Sequence, residues 1–185
     1  MLISAHAGYP RWLDGGADFI EIDLRRDANG IVVLSHDEIR PGDDPVTFAH
    51  VLQIAGGRVG LQLDLKEPGY ELDVVMAALD KSTPEKVVVT TADHPTIQTV
   101  KRHFPQVRAG LTRQRVERTD ADFIALDQAY ATEDALDFGQ RFAIPLWLWT
   151  VDDKKLMQRF IKDTRVECLI TNRPDLALKL RTARS

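Results

Sequence analysis

Short apolar runs, each closing on a polar residue or a turn, recur eight times along the 185-residue chain. They are Leu2–His6, Phe19–Leu24, Val59–Lys66, Lys86–Thr91, Val107–Leu111, Asp122–Asp127, Pro145–Thr150 and Val166–Thr171. Runs of this length, rich in Val, Ile and Leu, read as strands. Helical spacing of apolar residues marks Val46–Ala55, Glu71–Leu79, Pro95–Phe104, Thr132–Arg141, Asp152–Lys162 and Pro174–Leu180. Strand–helix alternation implies a parallel sheet, because parallel neighbours need a crossover between them. Eight such units close most economically into a (β/α)8 TIM barrel, with an open doubly wound sheet as the alternative. The chain falls below the roughly 200 residues usual for that barrel. A reduced first helix, where only Trp12-Leu13-Asp14 lie between breakers, and a short fifth helix in the charged stretch after Leu111 account for the saving.

The length fits one domain spanning 1–185 with a substantial core. Net charge is −4 and no Lys/Arg cluster is dense enough for a nucleic-acid surface. The single Cys168 excludes an internal disulfide framework and reads as a small buried residue of a strand. The start lacks the basic residues and long apolar run of a signal peptide, and no window approaches about 18 uninterrupted apolar residues. The expectation is a soluble, cytoplasmic protein without a transmembrane segment.

The chemistry gathers where such a barrel puts its active site, at the C-terminal ends of the strands. Glu21 and Asp23 alternate with Ile20, Ile22 and Leu24, so both carboxylates leave the same face of one strand. A turn, Asp27-Ala-Asn-Gly30, leads through Val32 and Leu34 to His36. His6 ends the first run, Asp64 and Lys66 end the third, and Trp149 is late in the seventh. Unpaired buried charge is expensive, so this gathering implies a metal or a charged ligand. Glu21, Asp23 and Asp64 offer hard oxygen ligands suited to Mg²⁺ or Ca²⁺, and no cysteine stands near for a thiolate zinc centre. Lys66 adds positive charge for an anion, and two histidines on opposite sides of a metal-bound group can serve as general base and general acid. Phosphodiester cleavage requires that combination. His50, His94 and His103 lie outside the set and read as surface residues, and Asp152 and Asp153 as a solvated helix start.

Ordered motifs carry a family resemblance. His6-Ala-Gly, Gly16-Ala-Asp-Phe-Ile-Glu-Ile-Asp23, Gly30-Ile-Val-Val-Leu-Ser-His-Asp37, Leu63-Asp-Leu-Lys66, Trp149-Thr-Val-Asp152 and Ile170-Thr-Asn-Arg-Pro-Asp175 resemble those of the glycerophosphodiester phosphodiesterases. The resemblance spans nearly the whole chain. It implies a TIM barrel and metal-dependent hydrolysis of glycerophosphodiesters to glycerol 3-phosphate and an alcohol. It also implies that Glu21, Asp23 and Asp64 hold the metal, that His6 and His36 are the catalytic acid and base, and that Lys66 and Trp149 contact substrate.

Four departures stand beside it. Ala7 occupies a position where the family usually has arginine after its first histidine, and the Pro-Glu-Asn-Thr segment with the first helix is absent. Asp64 replaces the usual glutamate, so that Asp-x-Lys is similar to the related sphingomyelinase D branch, whose substrates are lipids such as lysophospholipids. Only about twenty residues separate His36 from the next barrel strand, leaving almost none of the insertion that caps the family's site. Two further readings follow: a sphingomyelinase D-like lipid phosphodiesterase, and a barrel that binds phosphorylated ligands without turning them over. A barrel flank bare of its helix also raises the expectation of a second copy covering it.

Overall fold

A computed structural model describes residues 1–183. Its strands are β1 (Leu2–Ala5), β2 (Phe19–Arg26), β3 (Val32–Leu34), β4 (Gly60–Leu65), β5 (Val87–Thr91), β6 (Arg108–Arg113), β7 (Phe123–Asp127), β8 (Leu146–Trp149) and β9 (Val166–Thr171). Eight of them run parallel around a closed barrel, because β1 pairs with both β9 and β2. The ninth, β3, is no barrel stave. It returns antiparallel along the end of β2, from Leu24 opposite Leu34 to Arg26 opposite Val32. The hairpin thereby carries the chain back toward the barrel mouth and leaves His36 two residues beyond its end.

Six α-helices cover the outside: α1 (Phe48–Ala55), α2 (Glu71–Leu79), α3 (His94–His103), α4 (Glu133–Arg141), α5 (Lys154–Lys162) and α6 (Pro174–Thr182). Four begin on side chains that accept a first-turn backbone N–H: Thr47, Asp93, Thr132 and Asp153. The helices turn their apolar stripes onto strands that are buried on both faces, as in all-buried β5, Val-Val-Val-Thr-Thr. After β1 the chain makes a series of turns in place of a first helix. The short fifth helix expected after β6 does not form. Residues 114–122 are irregular, and ion pairs from Arg113 and Arg115 to Glu117 occupy the space. Close charges of one polar stretch with no apolar stripe give a helix nothing to bury there. No helix among the described residues is long and apolar enough to cross a membrane.

The N-terminal end of the barrel is sealed by aromatic side chains at strand starts. Trp147 is fully buried, stacks on Phe123 at 4.4 Å between ring centroids, and meets Phe19 at 5.5 Å. Its indole N–H donates to Glu167 Oε2 at 2.6 Å, and Arg108 donates to the same carboxylate at 2.8 Å. Access is therefore from the C-terminal ends, where the polar residues stand. Gly110 makes the seal possible, since a Cβ there would lie 2.1 Å from the Phe123 ring. With Phe123 held against Trp147, the ring has nowhere to retreat. Gly110→Ala should cost about 2–3 kcal/mol of stability, seen as a lowered urea midpoint with an unchanged m-value.

Candidate active site

Register builds the acidic cluster. Along β2 and β4, Glu21 stands opposite Gln62 and Asp23 opposite Asp64. Side chains at these positions point into the barrel while Ile20, Ile22, Leu61, Leu63 and Leu65 point outward into the layer beneath the helices. One oxygen from each of Glu21, Asp23 and Asp64 falls within 4.8 Å of the others. His6, Glu21, Asp23, His36, Asp64, Lys66 and Trp149 all line one cleft of about 500 Å³ at the barrel mouth. The seven residues read from the sequence as a site are brought together without exception.

The carboxylates are not left bare. Lys66 Nζ donates to Asp23 Oδ1 and to Asp64 Oδ2, each at 2.6 Å. Burial alone would depress this ammonium, but Asp64 and Asp23 outweigh it and hold the pKa well above its ordinary value. Lys66 was expected to face an anion, and its charge is engaged by two carboxylates at the rim of the same cleft. Glu21 lies deepest, 4% exposed. Burial first, then the charges of Asp23 and Asp64, raise its pKa well above the usual carboxylate value. The one backbone donor working against that shift is the Ala7 N–H, 2.9 Å from Glu21 Oε2. Ala7 has φ +44°, a left-handed backbone uncommon outside glycine, and this turns its N–H onto the carboxylate. Gly8 follows because a Cβ there would press to 2.8 Å on Ile20 and the Ala5 carbonyl.

The histidines are held differently. His6 Nε2 is 4.0 Å from Glu21 Oε2, and its Nδ1 meets Asn172 Oδ1 at 2.9 Å. Asn172 in turn donates from Nδ2 to Asp152 Oδ2 at 2.7 Å, and its backbone N–H and the Thr171 hydroxyl donate to Asp152 Oδ1. Burial pushes the Asp152 carboxyl up, yet these donors prevail and its pKa lies below the ordinary value. Asp152 is thus no solvated helix start; it anchors the residue that holds His6. Neither it nor Asn172 was read from the sequence as a site residue, although both lie in motifs that carry the family resemblance. The signal was their place just beyond the ends of strands β8 and β9. His36 is more exposed, 69% for its side chain, with Nδ1 2.8 Å from Asp37 Oδ1. That contact holds the Asp37 carboxyl below its usual pKa. Trp149 donates its indole N–H to the Ala125 carbonyl at 3.0 Å, which fixes the ring in the cleft wall. Gln62, Thr90 and Thr112 form the floor, also unforeseen, with Gln62 accepting from Ser4 Oγ at 2.7 Å.

An eight-stranded barrel with three carboxylates, a lysine and two histidines at its C-terminal mouth defines a class: a TIM barrel whose mouth carries an acidic cluster that could hold a metal ion. Comparison with known proteins narrows it. No family model matches the chain. Over 94% of its length the chain is 23% identical to a glycerophosphodiester phosphodiesterase of Caldanaerobacter subterraneus subsp. tengcongensis, covering 90% of that protein. A glycerophosphodiester phosphodiesterase of Parabacteroides distasonis superposes with a TM-score of 0.82 at 17% identity, covering 99% of this chain and 97% of that one. An Oleispira antarctica phosphodiesterase, solved with its product sn-glycerol-3-phosphate, gives 0.80 at 13% identity over 97% and 96%. The Thermotoga maritima glycerophosphodiester phosphodiesterase gives 0.78 at 19% over 98% of both chains. The TIM barrel is thereby established, and the resemblance to glycerophosphodiester phosphodiesterases holds in sequence and in fold across nearly the whole chain.

Lys66→Met would leave three carboxylates facing one another without their ammonium. In chelator, the variant should lose on the order of 2 kcal/mol at mildly alkaline pH. The loss should shrink as pH is lowered and the raised pKa of Glu21 lets it take up a proton. Urea unfolding at mildly alkaline and at lower pH checks this, and equal losses would count against the cluster as the cause.

Proposed function

We propose that this protein is a divalent-cation-dependent phosphodiesterase that hydrolyses glycerophosphodiesters to glycerol 3-phosphate and an alcohol. The observation that carries the reading is the meeting, in one cleft, of three carboxylates, a lysine and two histidines whose ring nitrogens are separately oriented. The donor set fits a hard cation: one ammonium, paired with Asp23 and Asp64, stands against three clustered carboxylates, and oxygen ligands of this kind suit Mg²⁺ or Ca²⁺. Glu21, Asp23 and Asp64 would hold it. When bound, such an ion neutralises charge on phosphoryl oxygens.

The chain's own residues account for the proton transfers. Asn172 Nδ2 is committed to Asp152, so its Oδ1 must accept, and His6 Nδ1 must carry the proton. In the neutral ring that leaves a lone pair on His6 Nε2, the nitrogen nearest Glu21, which suits a general base. His36 Nδ1 pairs with the Asp37 carboxylate, which orients the ring and leaves Nε2 available as the general acid. A glycerol hydroxyl of the substrate gives its proton to His6 as it bonds to phosphorus. The departing alcohol oxygen takes a proton from His36 as its bond to phosphorus breaks. Water then opens the cyclic phosphate with the two roles exchanged. Lys66 stands on the same rim with its ammonium engaged by Asp23 and Asp64.

The second reading, a lipid phosphodiesterase of the sphingomyelinase D kind, rests on Asp64-x-Lys66 and an uncapped mouth. It differs in ending at a cyclic phosphate from lysophospholipid, which phosphorus NMR distinguishes from glycerol 3-phosphate. Purified protein with Mg²⁺ or Ca²⁺ should release glycerol 3-phosphate from glycerophosphoethanolamine and lose that activity to chelator. His6→Ala and His36→Ala should each lower kcat/KM by about 10²–10⁴-fold. Binding of glycerol 3-phosphate without turnover under either metal would instead favour a binding barrel.

The raised pKa of Glu21 sets a pH dependence for the ion. A proton held by Glu21 must leave before the carboxylate can ligate, so cation affinity should fall as pH is lowered, with protons released on binding. Calorimetry in buffers of different ionisation enthalpy measures both, and Glu21→Gln should abolish the proton release.

A further inference from the structure

A second concavity opens beside the cleft. It encloses about 420 Å³ between the turn after β1 and the hairpin strand β3, with Ala7, Tyr9, Ile22 and Leu34 as its walls. Asp23 and His36 line both it and the cleft, so the two concavities adjoin at those residues. Two of the groove's polar residues, Ser35 and Asp23, are already engaged. Ser35 Oγ donates to the Asp37 carbonyl at 2.7 Å, Ser35 N–H donates to the Asp23 carbonyl at 3.1 Å, and Asp23 Oδ1 holds Lys66. Outside it, the apolar surface continues to Val46, 41% exposed, whose carbonyl accepts from Leu34 N–H. The methyl of Ala7 leaves the groove open; a long side chain at this position would fill it. No element covers the opening, because the connection from Ser35 to Val46 forms no helix or strand.

We propose that this groove seats the alcohol arm of the substrate and that the alcohol it takes is apolar, an alkyl or aryl group. The inference rests on the phosphodiesterase reading and deepens it. A diester has two arms, and the two adjoining spaces differ in kind. The cleft floor of Gln62, Thr90 and Thr112 suits the hydroxyls of glycerol. The groove offers mainly apolar walls, with the Tyr9 hydroxyl and His36 Nε2 as its unengaged polar groups, so a polyol entering it would regain little of the hydration it loses, whereas an alkyl chain gains by leaving water. His36 stands where the spaces adjoin. The bond from phosphorus to the alcohol oxygen therefore breaks on the groove side as the glycerol hydroxyl bonds to phosphorus. The alcohol oxygen takes its proton from His36, while His6 receives the proton of the attacking hydroxyl.

The test is a homologous series of glycerophospho-alkyl esters, ethyl, butyl and hexyl, assayed with Mg²⁺. A fully buried methylene is worth about fourfold, so kcat/KM should rise at least roughly tenfold from ethyl to hexyl even with the chain half exposed. In Leu34→Gln and in Tyr9→Ser the hexyl-to-ethyl ratio should fall below about threefold. Each ratio is internal to one preparation, so partial misfolding cancels. A flat series in the unaltered protein, with the ethyl ester turned over, would overturn the groove and leave the phosphodiesterase standing. If no ester is turned over, the phosphodiesterase reading fails, and calorimetry with ethyl and hexyl phosphate decides the groove. Tighter binding of hexyl phosphate, lost in Leu34→Gln, upholds an alkyl-binding groove beside a phosphate site. Equal affinities overturn it.

Discussion

Three carboxylates packed within 4.8 Å of one another, one of them almost fully buried, form the constraint on which the rest of the mouth depends. Like charges this close oppose folding unless protons or cations offset them. The protein answers in three ways. Lys66 bridges the two outer acids, the Ala7 N–H reaches the inner one, and Glu21's raised pKa makes it the acid most ready to hold a proton. Each answer is partial. Lys66 supplies one positive charge for three carboxylates, and a single neutral N–H cannot hold Glu21 at its ordinary pKa. A cluster left short of positive charge is a site that gains from a divalent cation, which is why its electrostatics and its proposed chemistry point the same way.

The barrel makes that cluster tolerable by confining it to one end. At the other, Trp147, Phe123 and Phe19 close the bore, and the Arg108–Glu167 pair caps the indole N–H. Polarity therefore increases along the inside of the barrel: rings first, then Ser4, Gln62 and Thr90, then the ionised groups. The intermediate layer links the apolar end to the charged one through uncharged hydrogen bonds, Ser4 to Gln62 and Gln62 toward Thr90. This gradient keeps most of the charged side chains near water, with Glu21 the buried exception, which lowers the cost of burial.

Much of this was legible in the sequence, for definite reasons. A period of two in Phe-Ile-Glu-Ile-Asp-Leu fixes which face carries the acids, and Leu-Gln-Leu-Asp-Leu repeats it on the neighbouring strand, so strand periodicity alone predicts convergence once the strands are parallel neighbours. Helix starts at Thr132 and Pro174 were readable because capping is local. What was not readable depends on long-range pairing. Asp152 looks like any acid at a helix start until Asn172, twenty residues on, is folded against it. Lys66 looks like a free phosphate ligand until Asp23 arrives from another strand. The fifth helix was expected from the regularity of the barrel and failed because residues 114–122 have no apolar stripe with which to dock.

The same reasoning explains how this barrel accommodates alanine after its first histidine. At that position the contact that matters to Glu21 is made by the main chain: the left-handed turn at Ala7 aims an N–H at the carboxylate, and Gly8 lets the strand end pack on Ile20. A backbone donor is insensitive to the side chain it belongs to, provided the conformation is kept. The side chain is then free to be shortened without disturbing the acidic centre. With a methyl there and no covering insertion after His36, the space beside the histidine is bounded by Tyr9, Ile22 and Leu34. The geometry of the acidic centre and the volume of the space beside it are thus separable, because the first is held by main chain and strand register and the second by side-chain volume alone.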